Sequence, residues 1–123
     1  MIPHPSIAAK EEEIFRSVVE HMLDAALIMD WDGTILFANN TALRLMEMTS
    51  PRQMIGQNAA GFVQPESLPR VVADLEAVRS GRNGFLSQYL LKTAQGNDLW
   101  VEGLGTMIAV GSRVLDLVIL RDI

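Results

Sequence analysis

Apolar positions change their period along the chain, and each change marks an element. Between residues 9 and 23, Ile14, Phe15, Val18, Val19 and Met22 recur at three- and four-residue intervals, so one apolar stripe of a helix is expected there. Glu11, Glu12 and Glu13 lie in its first half, where carboxylates suit the helix dipole and form a solvated face. Residues 1–8, with two prolines, read as a loose lead-in. Two short apolar runs, Ala25 to Asp30 and Thr34 to Ala38, bracket Asp32-Gly33, which is a strand–turn–strand signal. Asp30 and Asp32 lack the further oxygen ligands and distal glutamate of a calcium loop, so the turn reading stands. Asn39 or Asn40 then caps a short helix with Ala42, Leu43 and Met46 on one face. Pro51 to Gly61 is broken into turns.

A longer helix is predicted over Pro65 to Ser80, with Leu68, Val71, Val72, Leu75 and Val78 as its stripe. Pro69 sits in the first turn and Gly81 follows the end. Three strand-like runs follow: Phe85 to Thr93, Asp98 to about Val110, and Arg113 to Asp122. The turns at Gln95-Gly96-Asn97 and Gly111-Ser112 join them into an antiparallel meander. The last run is apolar on both faces, Leu115, Leu117 and Ile119 on one and Val114, Val118 and Leu120 on the other. It therefore belongs in the middle of a sheet covered on both sides. The middle helices can cover one face; the N-terminal helix, or a partner, covers the other. Gly103 and Gly105 share a strand face, where they admit a close approach or a bend and form no phosphate loop. The fold class is α+β: five strands, with helices packed on the sheet.

Composition narrows the function. The chain has 123 residues, 49% hydrophobic and 20% charged, enough for one domain with its own core. A net charge of −5, with ten scattered Lys and Arg, gives no nucleic-acid surface. Absence of cysteine removes disulfides, thiolate catalysis and cysteine-bound metal clusters, and allows a reducing compartment. Residues 1–9 show no basic start followed by an apolar run, and the run Val114 to Leu120 is too short for a bilayer. A cytoplasmic domain without membrane contact is expected. No nucleophile–base–orienter set can be assembled from His4 and His21, and Glu47, Asp74 and Glu76 read as surface carboxylates. An enzyme is not expected.

The order of elements and several fragments resemble the PAS family, over about residues 12–123. The run Met29-Asp30-Trp31-Asp32-Gly33-Thr34-Ile35-Leu36-Phe37-Ala38-Asn39 is similar to the family's opening hairpin and following asparagine. Ala42, Met54-Ile55-Gly56, Pro65-Glu66, Gly96 with Trp100, and the closing Arg121-Asp122-Ile123 also match in order and spacing. Gln64 and Ser67 depart from the histidine and aspartate that members often carry there. The resemblance implies a sheet in the order 2-1-5-4-3 over residues 24–123, and a sensory input role in a larger prokaryotic signalling protein. The output would be a sensor histidine kinase, a diguanylate cyclase or a transcriptional regulator, joined beyond Ile123 through a linker. It also points to Arg121 and Asp122 as the signal relay, against the plain reading of Asp122 as a charge that ends a strand.

Relatives sense through haem, flavin, small acids, apolar molecules or a partner protein. Cysteinyl-flavin photochemistry is excluded here, and haem is disfavoured because Pro65 to Ser80 holds no histidine. His21 reads as a helix-surface residue, without the acidic neighbour of a phosphoacceptor. Non-covalent flavin or a small apolar ligand stays open. Seven methionines suit an adaptable cavity. The candidate wall is Leu27, Met29, Leu36, Leu43, Met46, Met54, Ile55, Phe62, Val71, Leu75, Leu90 and Trp100, which reads either as a filled core or as a mostly apolar pocket. The second functional reading is a ligand-free homodimerisation module, paired through Ile14, Phe15, Val18, Val19 and Met22.

Overall fold

The computed structural model describes residues 24–82 and 85–123. The predicted N-terminal helix, with Ile14, Phe15, Val18, Val19 and Met22, lies outside the described residues, as do His4 and His21. Within them the chain runs β1 (Ala25–Met29), β2 (Ile35–Ala38), α1 (Asn40–Leu45), three single 3-10 turns, α2 (Leu68–Arg79), β3 (Leu86–Lys92), β4 (Asp98–Val110) and β5 (Arg113–Asp122). The strands form an antiparallel sheet in the order β2-β1-β5-β4-β3, as the resemblance implied. The strand apolar on both faces, β5, is the central one.

The opening hairpin turns where the sequence placed its Asp-Gly. Asp32 accepts from the Thr34 N–H at 3.0 Å, and Gly33 takes a φ of +91°. That hydrogen bond is the main reason the Asp32 carboxyl is held below its ordinary value. A side chain at Gly33 would also collide with Asn58, whose Oδ1 lies 2.9 Å from the position of a Cβ. Asn39, not Asn40, caps α1. Its buried Oδ1 accepts from the N–H groups of Ala42 (2.9 Å) and Ala26 (3.0 Å), and its Nδ2 donates to the Asp24 carbonyl (3.0 Å). One side chain thus starts a helix and ties it to β1.

The helix expected over Pro65 to Ser80 is divided. Pro69 has no N–H to donate to the Pro65 carbonyl, so the first turn closes with the tighter bond from Leu68 instead. A 3-10 turn over Pro65–Ser67 results, and the α-helix begins at Leu68. Its C-terminus follows expectation: Gly81, at φ +100°, donates to the Val78 carbonyl at 3.0 Å. The buried stripe is narrower than the periodicity suggested, because Val72 is 59% exposed.

Both sheet edges are occupied. Ile35 of β2 bonds the chain at Gly56 and Gln57, and the Leu90 carbonyl of β3 accepts from Gln64. The Ser67 hydroxyl accepts from the Leu90 N–H at 2.8 Å, and Gln64 Nε2 donates to Asp98 at 2.8 Å. The two residues that depart from the family pattern therefore pin the segment before α2 against β3.

Candidate functional site

Strand alternation sends Leu27 and Met29 of β1, and Val118 and Leu120 of β5, to the face beneath α1 and α2. Between that face and the helices lies a cavity of about 100 Å³. Of the residues expected to wall it, Leu27, Met29, Met46, Met54, Phe62, Val71 and Leu75 surround it.

Five others do not. The register of β1 and β2 slips beside Met29, so Ile35 falls opposite Met29 and takes the place expected of Leu36. Leu43 is 5% exposed and packs in the core, turned aside from Ala42 and Met46, which face the cavity one helical turn apart. Ile55 is 40% exposed, turned outward by a loop in which Gly56 has φ +87°. Leu90 and Trp100 are cross-strand partners on the opposite face of the sheet, Leu90 buried and Trp100 50% exposed. Strand phase is the common cause: Tyr89, Leu91 and Val101, one position away, point inward.

Of the polar groups at the cavity, Asp74 reads as a surface carboxylate in the sequence, but the structure half-buries it at the cavity wall, where it accepts from Tyr89. Asp116 of β5 projects into the cavity, 2% exposed, and its Oδ1 has no hydrogen-bond partner among the described residues. Burial raises its pKa to about 6, against a smaller opposite effect from the Thr106 backbone. The signal was present: one aspartate breaks an otherwise apolar central strand. Tyr89 donates its hydroxyl to Asp74 Oδ2 of α2 at 2.6 Å, and both line the cavity. Burial first, then the bond to Asp74, pushes the Tyr89 phenol well above its ordinary value.

The two strand glycines allow these approaches. A Cβ on Gly103 would lie 2.7 Å from the Tyr89 ring, so the ring can cross the sheet only because that Cβ is missing. At Gly105 a Cβ would meet Val78 of α2 at 2.9 Å and Asp116 Oδ1 at 3.2 Å. Gly103 thus admits the Tyr89 ring of the neighbouring strand, and Gly105 the close approach of α2.

Among the described residues no group of three or more His, Cys, Asp or Glu is gathered as for a metal ion. No helix among them is long and apolar enough to cross a membrane. Arg121 and Asp122 lie at the exposed end of β5. Arg121 pairs with Asp24, beside the start of β1, at 3.3 Å, and Asp122 stands in register with Val101.

Comparison with solved structures places this architecture. A PAS domain from Colwellia psychrerythraea matches with a TM-score of 0.79 at 20% identity, covering 92% of this chain and 97% of the other. The PAS domain of a two-component sensor histidine kinase matches with a TM-score of 0.78 at 17% identity, covering 94% and 99%. A PAS domain of a LuxR-family transcriptional regulator from Burkholderia thailandensis, in complex with ethanol, gives 0.73 at 12% identity, covering 89% and 96%. No curated protein matches the chain by sequence. At such identities the structural matches establish the fold, and the family follows from the sequence model described as PAS domain, which matches residues 23–123. With the 2-1-5-4-3 sheet and the cavity under its helices, that match shows that the chain belongs to the PAS domain family.

Proposed function

We propose that this domain is the sensory input of a signalling protein and that its cavity binds a small, mostly apolar ligand. The observation that carries the reading is the cavity itself. About 100 Å³ of space stands at the centre of the domain, walled chiefly by aliphatic side chains and methionines. An unfilled cavity costs stability in proportion to its volume, so a fold that keeps one has forgone packing at that place. Apolar cavities of about 150 Å³ take up benzene or xenon, and a somewhat smaller one admits molecules of that size or less. The related regulator domain solved with ethanol holds a molecule well within this limit.

The central strand is the proposed reporter. Asp116, Val118 and Leu120 touch the cavity, and Leu120 is followed directly by Arg121 and Asp122. A ligand that favours one position of β5 over another shifts the population of the two, and the end of that strand carries the difference outward. The exposed Arg121–Asp24 pair contributes at most about 1 kcal/mol, so it can open and close within such a shift. A sensor histidine kinase, a diguanylate cyclase or a transcriptional regulator would suit as the output.

Thermal unfolding with benzene as probe tests the reading. At about ten times its Kd, benzene should stabilise the domain by about 1.4 kcal/mol, a rise in Tm of several degrees. Val71→Phe, which fills the cavity from α2, should abolish the rise while the variant stays folded. Equal responses from wild type and Val71→Phe, or none from wild type, would contradict a ligand cavity.

A further inference from the structure

The cavity is apolar except at one end, and that end is acidic. Asp116 is buried to 2% exposure, and its Oδ1 has no partner among the described residues. The atom stands in the gap left by Gly105, 3.2 Å from where a Cβ would be, beside Val78 of α2. A second carboxylate, Asp74, reaches the cavity from α2, with one oxygen taken by the Tyr89 hydroxyl at 2.6 Å. Among the described residues lining the cavity there is no Lys, Arg or His. Neither carboxylate is therefore matched by a cation among the described residues that line this site.

A buried carboxylate short of a donor is expensive, and a partner that donates to it offsets most of that cost. An anionic ligand would add a third negative group to an uncompensated pair. A neutral hydroxyl would supply the missing donor but no charge. A protonated amine supplies both, in a hydrogen bond that is charge-assisted on each side. The small volume and the apolar remainder of the wall limit the rest of the molecule to a short hydrocarbon chain.

We propose that the cavity selects a small primary alkylammonium ion, which donates to Asp116 Oδ1 and lays its carbon chain along the apolar wall formed by Leu27, Leu75 and Val118. This rests on the reading of the cavity as a ligand site and names the class of ligand. Asp116 is then the residue that sets specificity, and Asp74 adds to the negative potential of the same end.

Methyl-labelled methionine resonances report on the site, because Met29, Met46 and Met54 all line it. The 123-residue chain is titrated with n-butylammonium, 1-butanol, butanoate and benzene. The expected ranking puts n-butylammonium at least roughly tenfold tighter than 1-butanol, with butanoate weakest. In Asp116→Asn the advantage over 1-butanol should disappear while 1-butanol and benzene still bind. If 1-butanol or benzene binds wild type as well as n-butylammonium does, the ligand class is wrong and the cavity reading stands. If none of the four moves the methionine methyls, both fail. The wild-type ranking decides the matter by itself should Asp116→Asn not fold.

Discussion

A carboxylate on the central strand of a sheet gives up most of its hydration, and Asp116 does so without a full set of donors in return. In an unfolded chain it titrates near ~3.9; in the fold its pKa is raised to about 6, chiefly by burial. The native state thus holds its proton more tightly than the unfolded state does. Between the two values the folded form binds more protons, so stability falls as pH rises through that window. Above about pH 6 the penalty is complete, and the shift corresponds to about 3 kcal/mol. The other titratable groups on the cavity, Asp74 and Tyr89, are bonded to one another. Urea unfolding of wild type and Asp116→Asn at about pH 4 and about pH 7 should therefore show the variant gaining about 2 kcal/mol on wild type at the higher pH. Parallel pH profiles for the two proteins would contradict this account of the residue.

Among the elements, the first helix and its neighbours show how local chemistry fixes tertiary placement. Asn39 caps α1 and also satisfies the Ala26 N–H of β1, so its loss removes a cap and strands a buried donor. Asn39→Ala should cost about 2–4 kcal/mol in chemical denaturation; a loss below about 1 kcal/mol would mean that other groups take over both bonds. The caps, the Asp-Gly turn, the central position of β5 and the glycine face of β4 were all legible in the sequence, because each depends on a few adjacent residues or on a simple period. Placement of Leu36, Leu90 and Trp100 was not. Strand period gives two alternating faces without saying which is inner, and the slip between β1 and β2 exchanges Leu36 for Ile35. Val72 fell on a helical stripe wider than the surface α2 covers. Tyr89 and the cavity role of Asp74 were hidden for a different reason: both are ordinary residues in sequence and acquire meaning only when β3 and α2 converge.

The whole molecule is a covered sheet with space left at its centre. Apolar residues reach both faces of β5. Its inner face meets the cavity, while the outer face of the sheet carries Leu86 at 62% exposure and Trp100 at 50%. The strand that lines the cavity through Asp116, Val118 and Leu120 is the one that ends at Arg121 and Asp122. On the proposed reading, the cavity recognises its ligand by shape, hydrophobic contact and one acidic end. Crystals of the domain pressurised with xenon should show bound gas between β5 and α2, in contact with Leu27, Leu75 and Val118. Side chains closed over that space, with no xenon inside, would contradict the proposed ligand cavity.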